Sequence, residues 1–154
     1  MLLDRIDFEL LTLLRKNARM PNKVLAEKVS IAPSTALERV RRLRESGAIQ
    51  GFHAEVSPAA VGIGLQAMVS IRLARHSRKG VDGFRKHVLG LPEVLALYHV
   101  AGSDDFLVHV GVRDSDHLRD FALSAFTERK EVDHIETRLI FEFRRNTDLA
   151  IPNR

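Results

Sequence analysis

Apolar residues recur at helical spacing through the first third of the chain, and beyond Leu65 the period changes to alternation. Ile6, Leu10, Leu13 and Leu14, widened by Phe8 and Leu11, predict a helix running from an Asp4 cap to about Asn17. Asp7 then lies near the positive end of the helix dipole. After the break at "ARMP", Asn22 is expected to cap a short second helix with Val24, Leu25 and Val29 on its apolar face. "SIA" reads as a tight turn. Pro33 suits the first position of a third helix, where its missing N–H costs nothing, and Gly47 suits its end.

A turn of about three or four residues between the second and third of three short helices describes a helix-turn-helix. At about 100° per residue, Ala36, Leu37, Val40 and Leu43 share the packing side of the third helix. Ser34, Thr35, Glu38 and Arg42 fall opposite, Arg39 and Arg41 flank them, and Arg44 lies nearer the packed side, where it is expected to pair with a carboxylate or reach around the edge. Small hydroxyl residues at the start of the helix let backbone approach the floor of a DNA major groove. Arginine offers guanine O6 and N7 two parallel hydrogen bonds, or reaches phosphate. Glu38 either accepts from a cytosine amino group or restrains Arg42 four residues on. The expected DNA-facing residues are therefore Ser34, Thr35, Glu38, Arg39, Arg41 and Arg42, with Arg39 and Arg42 as the principal contacts.

Past the helices, "AIQGFHAEVSPAAVGIG" reads as a strand or linker and then a hinge at Ser57-Pro58 and Gly62/Gly64. Ala67, Val69, Ile71 and Leu73 alternate as one face of a strand. Val81, Phe84, Val88 and Leu89 follow at helical spacing. "VLALYHV" and "FLVHVGV" form a hairpin across "AGSDD". Leu118, Phe121, Ala122 and Phe126 mark a second helix, and Ile135, Thr137, Leu139, Phe141 and Phe143 a last strand. The order βαββαβ makes an α+β chain: a three-helix helix-turn-helix domain at 1–50, a linker at 51–64, and a ferredoxin-like domain with an antiparallel sheet at 65–154. Two helices cover one sheet face. The other carries Met68 and Leu107, too apolar for open water, and a second subunit is the economical cover.

Charge sharpens this division. Residues 1–53 hold ten Lys/Arg against six Asp/Glu, and the remainder holds fourteen of each, so the whole net charge of +4 lies in the first third. An anion-binding head on a neutral body is implied. The absence of cysteine excludes disulfides, thiol catalysis and Cys-ligated metal, and fits a reducing compartment. No apolar run is long enough to span a membrane, and "MLLDRIDFELL" does not read as a secretory signal. The histidines show no metal-ligand spacing, and neither a nucleophile elbow nor a phosphate loop is present. The adjacent carboxylates of Asp104 and Asp105 near His99 and His109 are the only enzyme-like grouping, and turn aspartates are usually just solvated. No metal, cofactor or catalytic activity is expected.

"LDRIDFELLTLLRKNARMPNKVLAEKVSIAPSTALERVRRLRESGAIQGF" closely resembles the N-terminal domain of the Lrp/AsnC (feast/famine) transcriptional regulators, and "VAGSDDFLVHV" resembles the hairpin of their ligand-sensing domain. The resemblance runs from Leu3 to about Phe143. It implies a cytoplasmic regulator that binds double-stranded DNA, dimerises through the ferredoxin-like domain, assembles further to a tetramer or octamer, and responds to a free amino acid. Carried over by position, the effector site comprises Ala101, Gly102, Ser103, Asp104, Asp105 and Thr137. Gly102 would let backbone approach the ligand, Asp105 would hold its ammonium group, and Thr137 would add a hydroxyl. Ala101 and Asp104 replace the threonine and the aromatic residue usual in this hairpin, and Ile135 stands where a second hydroxyl is common. Ala32 occupies the N-cap of the third helix, where the family favours serine. These departures point to a non-standard ligand or to weak sensing. A separate alternative is an effector-independent architectural DNA-binding protein.

Overall fold

The computed structural model describes residues 2–75 and 77–146. They divide into two compact units, residues 2–55 with 144–146, and Val56–Phe143. Of the expected linker, 51–55 group with the first unit and 56–64 with the second. Residues 147–154 of the expected second domain lie outside the described residues.

The first unit contains α1 (Arg5–Lys16), α2 (Asn22–Lys28) and α3 (Pro33–Glu45). Leu10 and Leu14 of α1 meet Leu25 and Val29 of the second helix segment and Leu43 of α3. Asp4 caps α1 as expected, through a capping box: its Oδ1 accepts from the Asp7 N–H (2.9 Å), and Asp7 Oδ2 accepts from the Asp4 N–H (3.2 Å). Asn22 is not a cap. It is the first residue of α2, and the cap position falls to Pro21, whose carbonyl accepts from the Leu25 N–H. The turn into α3 uses Ser30 at φ 56°. The Ser30 N–H bonds to the Glu27 carbonyl and the Ile31 N–H to the Ala26 carbonyl, so a serine takes the left-handed position that glycine usually fills in this termination motif. Gly47, at φ 75°, terminates α3 and donates its N–H to the Arg44 carbonyl.

The second unit opens with a 3-10 turn (Pro58–Val61) and continues as β1 (Leu65–Leu73), α4 (Arg78–Leu89), β2 (Val94–His99), β3 (Phe106–Val112), α5 (Ser115–Ala122) and β4 (Val132–Ile140). This is the βαββαβ order, with a four-stranded antiparallel sheet in the order β2-β3-β1-β4. Ala67, Val69, Ile71 and Leu73 alternate onto one face, beside Phe106, Val108, Val110 and Val112. Phe84 and Val88 of α4 and Leu118 and Phe121 of α5 pack on them, with the Phe84 and Phe106 rings 5.0 Å apart. Leu89 does not join this core: it is exposed, one residue and about 100° around the helix from buried Val88. A π turn at Leu123–Thr127 follows α5 and carries Phe126 into the core.

β4 is an edge strand, which changes the outcome for its alternating residues. Ile135, Thr137 and Leu139 stand opposite Ile71, Val69 and Ala67, yet Thr137 and Leu139 are exposed. The strand ends at Ile140, so Phe141 and Phe143 lie beyond it. On the outer sheet face Gln66, Met68 and Ser70 stand opposite Gly111, His109 and Leu107. Met68 and Leu107 are half-buried, whereas Leu95 and Tyr98 of β2 are exposed. The buried Ser70 hydroxyl accepts from Arg138 Nη1 (2.8 Å). His109 Nε2 lies 2.8 Å from Gln66 Oε1, so the ring nitrogen donates.

Candidate nucleic-acid interface and effector turn

Three kinds of side chain emerge around α3. The packing side holds Ala36 and Leu43, both fully buried, with Val40 partly buried. A second side turns to α1 and its buried Asp7. Arg39 Nη1 donates to Asp7 Oδ1 (2.9 Å) and Asp4 Oδ2 (2.6 Å), and Arg42 Nη2 donates to both oxygens of Asp7 (3.2 and 3.0 Å). The Asp7 N–H and, secondarily, Arg39 hold the Asp4 carboxyl below its ordinary pKa. Asp4 and then Asp7 raise that of the Arg39 guanidinium.

Arg39 and Arg42, expected from the sequence as the principal DNA contacts, are thus both engaged by carboxylates of α1. Arg39 and Arg42 do not project their guanidinium groups freely from the helix; both reach back to Asp7. The cause is desolvation, because a carboxylate buried this fully needs cationic hydrogen-bond donors. Arg39 is mostly withdrawn from solvent, whereas Arg42 keeps about half its side chain exposed (48%). Glu38 does not restrain Arg42 either: it pairs with Arg41 at 2.8 Å, and Glu45 approaches Arg41 from the other side at 3.8 Å. Among the described residues Arg44 makes no ion pair; its guanidinium lies 6.0 Å from the centroid of the Phe52 ring.

The remaining side carries Ser34, Glu38 and Arg41, all exposed, with Thr35 exposed beside them. Leu37 belongs here too. Expected on the packing side, it is 56% exposed, because it stands about 100° around from buried Ala36. Ala32 makes no side-chain cap bond, as its methyl group requires. Asp7 is the structural anchor that periodicity missed. The available signal was the spacing of Arg39 and Arg42, which stacks two guanidinium groups on one side of a helix that must pack beside an acidic helix start.

In the second unit, Ala101, Gly102 and Ser103 are exposed at the β2–β3 turn, and Asp104 and Asp105 are half-buried. Gly102 sits at φ 139°, a conformation L side chains rarely adopt, so the turn requires it. The Asp105 carbonyl accepts from the Val100 N–H (2.9 Å), closing the turn. Its own N–H donates to the Ile71 carbonyl (2.9 Å), and its Oδ2 accepts from the Leu73 N–H (2.7 Å). Asp105 thus fastens the hairpin to the end of β1. This bond orients the carboxylate group. Thr137 lies on β4, separated from β3 by β1, and the sheet order does not bring it beside the turn.

Residues 3–50 match a winged helix-turn-helix DNA-binding domain, and residues 66–148 match the Lrp/AsnC ligand binding domain. The chain belongs to the Lrp/AsnC family. It is 46% identical over 140 residues to the HTH-type transcriptional regulator AldR of Mycolicibacterium smegmatis, covering 91% of this chain and 82% of that protein. The crystal structure of MtbAldR is 39% identical with a TM-score of 0.77, covering 94% of this chain and 98% of the other. A Neisseria meningitidis regulator solved in complex with L-Met is 27% identical with a TM-score of 0.87, covering 98% and 97%. This member of the family is a DNA-binding transcriptional regulator with a ligand-binding domain and the ferredoxin-like fold of its relatives. Among the described residues no helix is long and apolar enough to cross a membrane.

Proposed function

We propose that this regulator meets the major groove with the Ser34, Thr35, Glu38 and Arg41 side of α3, while Arg39 and Arg42 brace that helix against α1. The observation that supports this reading is the network around Asp7, which engages Arg39 and Arg42 while Ser34, Thr35, Glu38 and Arg41 stay exposed. Ser34 and Thr35 bring backbone and hydroxyl donors to the groove, and Arg41 supplies the cation. Arg42, half exposed, remains within reach of phosphate.

The ferredoxin-like unit forms a homodimer through its outer sheet face, where exposed Leu95 and Tyr98 adjoin Met68 and Leu107, and dimers assemble to a tetramer or octamer. The effector is a free amino acid bound at Ala101–Asp105 in the cytoplasm. Because Thr137 lies two strands from that turn, a complete pocket draws the hydroxyl from a second copy. The tie between Asp105 and Leu73 favours a second reading, in which the turn is structural and DNA binding is effector-independent.

Fluorescence anisotropy on the upstream DNA of the gene and on a scrambled duplex, with and without a pool of the twenty amino acids, tests both. Binding of the upstream duplex that is salt-dependent and altered by the pool supports the full reading. Unaltered binding leaves the architectural one. Light scattering under the same conditions reads the assembly.

A further inference from the structure

α3 presents Ser34, Leu37, Glu38 and Arg41 at positions i, i+3, i+4 and i+7, the spacing of a single helical stripe. Three of the four are polar or charged. The fourth is a leucine with more than half its surface in water. A lone exposed leucine is ordinary on a protein surface. This one lies between a hydroxyl at the start of the helix and a guanidinium one turn on, on the side turned neither to the core nor to Asp7. The charged neighbours Glu38 and Arg41 engage each other at 2.8 Å, which leaves Leu37 as the apolar prominence of the stripe.

Among the groups lining a DNA major groove, the thymine C5-methyl is the one an aliphatic side chain can recognise; the other base-edge features are hydrogen-bond donors and acceptors. We infer that Leu37 is a specificity-determining residue that packs on a thymine methyl, so that the protein selects thymine at that position by apolar contact. This inference rests on the reading that the Ser34–Arg41 stripe faces DNA. The polar members of the stripe set register and hold backbone or base edges, and Leu37 adds discrimination that salt does not screen.

The test removes only the methyl. A duplex enriched by the wild-type protein from a random-sequence pool is resynthesised with deoxyuridine replacing each thymidine in turn, and affinities are measured for the wild type, Leu37→Ala and Arg41→Ala. The wild type is expected to lose about fourfold at one particular thymine, the effect of one buried methyl group. Leu37→Ala is expected to bind the parent duplex more weakly and to show no further loss from that replacement. Arg41→Ala is expected to keep the methyl sensitivity while binding more weakly throughout. A wild type indifferent to every replacement, or a Leu37→Ala variant as sensitive as the wild type at the same thymine, overturns the inference and leaves DNA binding standing. Failure to enrich any duplex, or Arg41→Ala binding like the wild type, overturns the DNA-facing stripe itself.

Discussion

Asp7 of α1 and Arg39 of α3 meet at 2.9 Å, with the carboxylate buried and the guanidinium shared with Asp4. One acidic side chain thus caps its own helix, through the Asp4 N–H, and fixes the angle of another. Asp7→Asn keeps the shape and removes the charge that Arg39 and Arg42 answer. Breaking a buried charge pair on one side costs about 3 kcal/mol. The first unit is expected to melt correspondingly earlier in urea, followed by helical circular dichroism. A midpoint within error of the wild type would show that the two arginines carry no stabilising partnership with Asp7.

Arg41 and Arg39 should separate binding from stability. Arg41 is exposed and its partners are surface carboxylates, so Arg41→Ala should leave the melting temperature unchanged. On DNA it should weaken binding and lower the slope of log affinity against log salt by about one. Arg39→Ala should lower the melting temperature instead, because it opens the Asp7 network. The reverse pattern, with Arg39 salt-linked to DNA and Arg41 silent, would return Arg39 to the role its sequence position first indicated.

Much of this fold follows from periodicity. Ala67, Val69, Ile71 and Leu73 alternate because every second residue of β1 meets the helices, and their burial needed only the period of two. Asp4 was legible as a cap for the same local reason. The misassignments share a different cause. Leu37 and Leu89 each stand about 100° from a buried neighbour, and a helical wheel ranks such edge positions by hydropathy alone. By angle Arg39 and Arg42 fall toward solvent, and nothing local to α3 announces a buried carboxylate on α1. Thr137 alternates onto the helix-facing side, and only the edge position of β4 leaves it exposed.

Asp105 can be divided into a structural and a ligand-binding role by its two replacements. Asp105→Ala removes the acceptor of the Leu73 N–H and should cost about 1–2 kcal/mol, the cost of an unsatisfied buried donor. Asp105→Asn keeps an amide oxygen there and should retain most of that stability. If the carboxylate also holds an effector ammonium, the Asn variant should bind DNA like the wild type yet lose its response to the amino-acid pool. An Asn variant that responds normally would confine Asp105 to fastening the hairpin.

His109 links the outer sheet face to pH. Burial among Gln66 and the Phe143 ring holds its pKa below the ordinary value, because desolvation disfavours the imidazolium. Above about pH 6.5 the ring is neutral in both folded and unfolded chains and contributes no pH dependence. Below that, the unfolded chain takes up the proton first. Stability therefore falls as pH drops from about 6.5 toward the lowered native value, and levels off once both states are protonated. The sequence holds six other histidines, so the measurement is a difference. Between neutral and mildly acidic buffer, the urea midpoint of His109→Gln should fall less than that of the wild type. Equal falls would mean that protonating His109 costs the folded sheet nothing, and that the Gln66 contact tolerates the charged ring.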